Sequence, residues 1–103
     1  DSFTNYTTND QLFITIDVSL STNNNINYPE LLKQLIQQVS LSKYAIDKKY
    51  VYAVVSDMSS VGTKITVKVK IASVDFFGAS NDVRLIVRQT LEEENVKLLD
   101  YSY

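Results

Sequence analysis

Apolar and polar residues alternate without a break from Lys64 to Ile71, with Ile65, Val67, Val69 and Ile71 on one side and Lys64, Thr66, Lys68 and Lys70 on the other. A period of two marks a β-strand with one buried and one wetted face. The same pattern runs from Leu12 to Leu20. There Leu12, Ile14, Ile16, Val18 and Leu20 form an apolar row interleaved with Thr15, Asp17 and Ser19, and only Phe13 breaks the polar row. Two such strands side by side make an apolar floor about 25–30 Å long, at ~3.3 Å per residue, which other elements must cover.

Segments with a helical period supply the cover. After Ser21-Thr22-Asn23-Asn24-Asn25, whose side chains compete for backbone hydrogen bonds and favour a turn, Tyr28-Pro29-Glu30 opens a helix. Proline is tolerated in a first turn because the N–H it lacks would be unpaired there. Leu31, Leu32, Leu35, Ile36 and Val39 recur on the inner side, Glu30, Lys33, Gln34, Gln37 and Gln38 on the outer, and the helix is expected to end near Ser40. Residues 42–49 hold Tyr44, Ala45 and Ile46 among charges without a clear period and read as a connector with one more helical turn. Tyr50 to Val55 is short, β-branched and aromatic, and apolar on both sides, which predicts a strand packed on both faces.

Asp57-Met58-Ser59-Ser60-Val61-Gly62 then returns the chain as a hairpin into the long strand at 63–72. Residues 72–77 continue extended or bend away, Gly78 ends that stretch, and Ser80 or Asn81 caps a second helix with Asp82 in its first turn. Val83, Ile86, Val87, Thr90 and Leu91 form its inner stripe, while Arg84, Arg88 and Glu92 face out and can pair four residues apart. Glu92-Glu93-Glu94 reads as a solvated face near a fraying end, and residues 96–103 as a last strand. Residues 1–10 are a polar, extended lead-in that contains the glycosylation sequon Asn5-Tyr6-Thr7, relevant only to an exported protein.

The order is strand, helix, strand, strand, helix, strand. This predicts an α+β domain of the ferredoxin-like split βαβ type (βαββαβ): a four-stranded antiparallel sheet with two helices on one face, and the first and third strands in its middle. All of residues 1–103 form one domain, with the βαββαβ unit at 11–103. At 103 residues such a chain buries roughly 60–65% of its unfolded surface without disulfides or metal.

Composition then narrows the chemistry. A net charge of −2 gives little attraction for phosphate backbones or anionic lipid. There is no Cys and no His, so thiolate chemistry and imidazole bases are excluded. The two glycines, Gly62 and Gly78, make no phosphate cradle, and the only acidic cluster points several ways from one helix end. We expect no enzyme, no cofactor and no metal. No apolar run approaches the ~20 residues of a membrane span. A chain that begins at Asp1 is expected to be a processed product or a piece of something longer.

The same topology carries RNA-recognition motifs, and Phe13 on a central strand invites the comparison. The neighbouring strand, however, presents Lys64, Thr66, Lys68 and Lys70 where stacking aromatics are needed, so no nucleic acid is expected. These lysines are either a solvated face that discourages sheet stacking or a partner-binding face. Tyr50 and Tyr52 lie on one edge strand, Tyr101 and Tyr103 on the other, and Tyr serves both β-propensity and protein contacts. The candidate interface residues are therefore Phe13, Lys64, Lys68, Tyr50, Tyr52, Tyr101 and Tyr103.

Three stretches also resemble the cytosolic carboxy-terminal region of the small-conductance mechanosensitive channel family. They are Asn5-Tyr6-Thr7-Thr8-Asn9-Asp10 with the strand Ile14-Thr15-Ile16-Asp17-Val18-Ser19, the hairpin Val54-Val55-Ser56-Asp57-Met58-Ser59-Ser60-Val61, and Val83 to Leu98 with Val87, Leu91, Glu92, Glu93, Val96 and Lys97. The resemblance implies a non-catalytic βαββαβ domain on the cytoplasmic side of a membrane, reaching the membrane only through segments outside this chain. It also implies self-association, with seven copies enclosing a vestibule below the pore, and a soluble isolated domain. Two other readings stay open: a regulatory or adaptor module of the same fold that binds a small ligand or protein, and an extracellular module.

Overall fold

The computed structural model describes residues 10–22 and 25–99. The lead-in at 1–9 with its sequon, and Tyr101 and Tyr103 of the expected last strand, lie outside them. The described chain runs β1 (Gln11–Ser21), α1 (Tyr28–Ser40), a 3-10 turn (Lys48–Tyr50), β2 (Val51–Met58), β3 (Gly62–Ala72), a second 3-10 turn (Ser73–Asp75) and α2 (Phe76–Glu93).

The two alternating strands pair with each other. β1 and β3 are antiparallel along their whole length, from Gln11 opposite Ala72 to Ser21 opposite Gly62. β2 returns on the other side of β3, with Val51 opposite Val69 and an irregularity between Val55 and Asp57. The sheet order is thus β1-β3-β2. The long third strand occupies the centre, flanked by β1 on one side and β2 on the other.

Both helices cover the same side. Leu31, Leu35 and Val39 of α1 and Ala79, Val83, Val87 and Leu91 of α2 close over Ile14, Ile16, Leu20, Ile65, Val67, Val69 and Ile71 in one buried core. The Asn27 side chain caps α1 by accepting from the Glu30 N–H at 3.1 Å, which satisfies one donor that a helix start leaves unpaired. The far end of α1 is tied to α2 by Ser42 Oγ, which donates to Asp82 Oδ2 at 2.6 Å.

Four expectations need correction. The four-stranded ferredoxin-like sheet is three-stranded among the described residues, a βαββα arrangement, and the fourth strand is reduced to one antiparallel bridge, Leu20 opposite Leu98. Apart from that bridge β1 is a margin of the sheet rather than an interior strand. Second, β2 is covered on one face only. Val51 and Ala53 are buried, while Tyr52 and Val54 are exposed, because no element among the described residues lies over the side away from the helices. Third, α2 begins at Phe76, not after Gly78. Gly78 sits inside the helix, where a Cβ would come within 2.8 Å of the Tyr44 hydroxyl; the glycine serves a close approach instead of ending an element. Finally, Ser80 is buried within α2 instead of capping it.

α2 ends by a left-handed turn. Asn95 has φ 58°, and Val96 N–H donates to Leu91 O at 2.9 Å while Asn95 N–H donates to Glu92 O at 3.1 Å. This hydrogen-bonding pattern closes many helices, and Asn tolerates the left-handed position better than most residues. It directs the chain back toward the outer edge of β1.

Candidate interaction face

The sheet face away from the helices carries the side chains that alternate with the core row. Register decides which of them meet. Phe13 lies opposite Lys70, and Lys68 lies between Thr15 on β1 and Tyr52 on β2. Tyr50, in the turn that enters β2, is held by Asp47, whose carboxylate accepts from Lys49 N–H at 3.0 Å.

These positions bring three rings together. The Phe13 centroid is 6.4 Å from that of Tyr50, in an edge-to-face arrangement with an interplanar angle of 79°, and 6.0 Å from that of Tyr52. Such spacing lies within the range in which ring quadrupoles attract. Two ammonium groups sit over the rings. Lys70 Nζ is 4.3 Å from the Tyr50 centroid and 5.9 Å from that of Phe13, and Lys68 Nζ is 5.6 Å from Phe13. Phe13 keeps 40% and Tyr52 45% of their surface exposed, so the cluster is half-open: apolar area and positive charge are presented side by side.

The other end of the face is polar. Thr66 Oγ1 donates to Asp17 Oδ1 at 2.6 Å and lies 2.8 Å from Ser56 Oγ, which links all three strands across the sheet. Lys64 belongs to this end, opposite Ser19 on β1 and Asp57 on β2.

The structure therefore joins Phe13, Tyr50, Tyr52 and Lys68 into one patch and separates Lys64 from it. Lys70 belongs to the patch although the strand pattern gives it no more weight than its neighbours; its position opposite Phe13 is a property of register, which one strand alone does not specify. Tyr101 and Tyr103 lie outside the described residues. A second apolar feature was hidden by the misplaced helix start: Phe76 and Phe77, stacked edge-to-face at 5.3 Å, with Phe77 85% exposed.

Among the described residues no group of three or more His, Cys, Asp or Glu could hold a metal ion, and Glu92, Glu93 and Glu94 are all exposed. What the face can do is bind: desolvate aromatic area and offer two cations to an acidic or π-rich partner.

No protein-family model matches the sequence, and no curated protein matches it. Solved structures match in shape. A structure of Arabidopsis thaliana MSL1 has a TM-score of 0.74 over 89% of this chain at 10% identity, and a second MSL1 structure 0.71 over 86% at 13%. Helicobacter pylori MscS in its closed state has 0.69 over 93% at 16%. This chain spans about a third of the length of each, covering 33%, 34% and 39% of those chains in the same order. The described domain thus has the fold of one part of the MscS and MSL1 channels.

Proposed function

We propose that this chain is a non-catalytic domain of a mechanosensitive channel of the small-conductance family, placed on the cytoplasmic side of the membrane and self-associating around a vestibule below the pore, with seven copies in the full assembly. The observation that carries this reading is the likeness of fold to MSL1 and MscS over most of the chain. It is supported by the separate resemblance of three sequence stretches. No helix of the described residues is long and apolar enough to cross a membrane, so on this reading the membrane is reached through segments outside the chain.

The test is a chimaera in which this chain replaces the matching third of Helicobacter pylori MscS. Assembly at the parent's mass in detergent, and tension-activated conductance in patches, are the expected results. A chimaera that is folded by circular dichroism yet stays monomeric would overturn the reading.

The half-open Phe13, Tyr50, Tyr52, Lys68 and Lys70 patch favours a second reading, a regulatory or adaptor module that binds a ligand or protein through its open sheet face. The two readings differ in what Lys68→Glu with Lys70→Glu would do. A vestibule domain keeps its subunit number and changes its ion preference, whereas an adaptor loses its partner.

A further inference from the structure

The first turns of α2 present a mixed face toward β1. Phe76, Ser80 and Arg84 recur every four residues, with Phe77 and Asn81 beside them, so the five share one side of the helix. A pocket of about 390 Å³ lies between this side and β1. Buried Ile14 and Ile16 line it from the core, and the exposed Phe76 and Phe77 rings line it toward solvent. Ser80, Asn81 and Arg84 add the polar groups of α2.

Ser80 is the unusual member. It is only 9% exposed, yet its hydroxyl makes no hydrogen bond among the described residues. Comparable hydroxyls are satisfied: Ser40 Oγ donates to Ile36 O at 2.6 Å and Thr90 Oγ1 to Ile86 O at 2.8 Å, the usual bond of a helical hydroxyl to the carbonyl four residues back. No sealed side-chain nitrogen or oxygen of the described residues lacks a partner, so the Ser80 hydroxyl is not sealed off; it opens into the pocket that it lines. A hydroxyl so placed has given up most of its water and offers a donor to whatever fills the space. Arg84, one turn on, pairs with no carboxylate among the described residues, and no acidic side chain lines the pocket. Its charge is that of a single guanidinium.

We propose that this pocket binds a small aromatic carboxylate. The Arg84 guanidinium takes the carboxylate in a two-point contact, the geometry that suits its planar fork. Ser80, four residues before Arg84 on the same face, donates its hydroxyl to the same anion. The aromatic body lies against Phe76, Phe77, Ile14 and Ile16, where ring packs against ring. Charge selects the class of anion: one guanidinium matches the single charge of a carboxylate, whereas a phosphate monoester brings nearly two. Apolar walls with a few convergent polar groups, at this volume, are the usual make-up of a small-molecule site. The inference rests on the pocket alone and stands or falls independently of the channel reading.

The test uses the purified 103-residue chain with naphthoate as the probe, read by amide chemical shifts. A Kd of roughly 1 mM is expected of so small a ligand. Naphthoate should shift the amides of Ile14, Ile16, Ser80 and Asn81 saturably, and naphthalenemethanol, a neutral alcohol of similar shape, should bind about tenfold more weakly. Arg84→Gln should weaken naphthoate about tenfold and leave the alcohol unchanged. Arg88→Gln, whose arginine pairs with Glu92 and does not line the pocket, should change neither. Ser80→Ala should weaken naphthoate about threefold while leaving the urea midpoint unchanged or raised, because the hydroxyl it removes has no partner in the protein. Absence of shifts up to about 10 mM naphthoate overturns the proposal. So does equal binding of acid and alcohol, or an unchanged Kd in Arg84→Gln. Tighter binding of naphthyl phosphate than of naphthoate overturns the assignment to carboxylates. A lowered urea midpoint in Ser80→Ala overturns the unpartnered hydroxyl on which the site is built.

Discussion

A charge placed at position 69 should unfold the domain at neutral pH, while the same charge at position 68 should hardly be felt. Val69 is fully buried on the central strand, opposite Ile14 on β1 and Val51 on β2, in the core that both helices close. Lys68 is exposed on the other face. In Val69→Asp the new carboxyl has no cation within the core, so it folds in protonated form. Holding a group of ordinary pKa about 3.9 neutral at pH 7 costs about 4 kcal/mol. Losing the buried valine side chain adds about 2 kcal/mol. The total of about 6 kcal/mol approaches or exceeds the stability of a marginal domain, whose range is ~5–15 kcal/mol. Lys68→Asp forfeits a cation over Phe13, worth about 0.5–1 kcal/mol at an exposed site.

The sign with pH follows from proton binding. The folded Val69→Asp variant holds a proton that its unfolded chain releases above about pH 4, so its stability rises as pH falls, by about 1.4 kcal/mol per unit. Between pH 7 and pH 5 it should regain about 2.7 kcal/mol relative to the parent, whereas Val69→Asn should regain none. Urea titrations followed by far-UV circular dichroism at pH 5, 6 and 7 measure this. Equal losses at 68 and 69, or a loss at 69 that does not change with pH, would refute the assigned register and burial.

Other perturbations probe single contacts. Asn27→Ala removes the acceptor of the Glu30 N–H and should cost about 1 kcal/mol in a urea titration. Gly78→Ala should fail to give the gain of ~0.8–1 kcal/mol expected from helix propensity, because the new Cβ meets Tyr44; combined with Tyr44→Ala the gain should appear, and a double-mutant cycle reads the coupling. Asn95→Val forces a β-branched residue into the left-handed turn and should lower stability by about 1–2 kcal/mol, whereas Asn95→Gly should not. Common nucleotides and divalent ions should leave the melting temperature unchanged in a thermal-shift screen, because a binder at a hundredfold its Kd would add about 2.7 kcal/mol, a shift of several degrees.

Sequence pattern resolved what depends on one strand or one helix at a time. The faces of β1 and β3, the Pro29-containing start of α1 and the inner stripe of α2 are all local periodicities, and each lies where its period places it. What pattern missed depends on contacts between elements. Gly78 looks like a breaker until Tyr44 is seen against it. Tyr52 and Val54 look like core because apolar residues on an uncovered face erase the alternation that would reveal it. For the same reason the interface residues could be named singly but not assembled. Phe13, Tyr50, Tyr52 and Lys68 come from three separate segments, and only cross-strand register shows that Lys70 completes the group while Lys64 stands with Asp17 and Thr66 at the other end.

The channel reading makes a demand on this surface that the adaptor reading does not. A closed ring with an odd number of copies cannot be built from self-complementary contacts, since each such contact pairs two copies and stops. It needs two different surfaces on every copy, joined head to tail. The domain offers two that differ in chemistry. One is the open sheet face with its rings and lysines, continuous with the β2 margin, which no strand flanks among the described residues; the other is the exposed Phe76 and Phe77 pair at the start of α2. The first is apolar and cationic. The second is apolar, with Asp75 immediately before it and Arg84 lining the same pocket, so a head-to-tail contact would set ring against ring. Specific interfaces usually bury about 800 Å² per partner, which two clusters of a few residues supply only in part. On the ring reading the rest comes from chain outside the described residues, and the isolated domain should then be a monomer or weak dimer by light scattering from micromolar to millimolar concentration. A tight dimer at micromolar concentration, lost in Tyr52→Lys but unaffected by Phe77→Lys, would mean one self-complementary surface and would favour the adaptor.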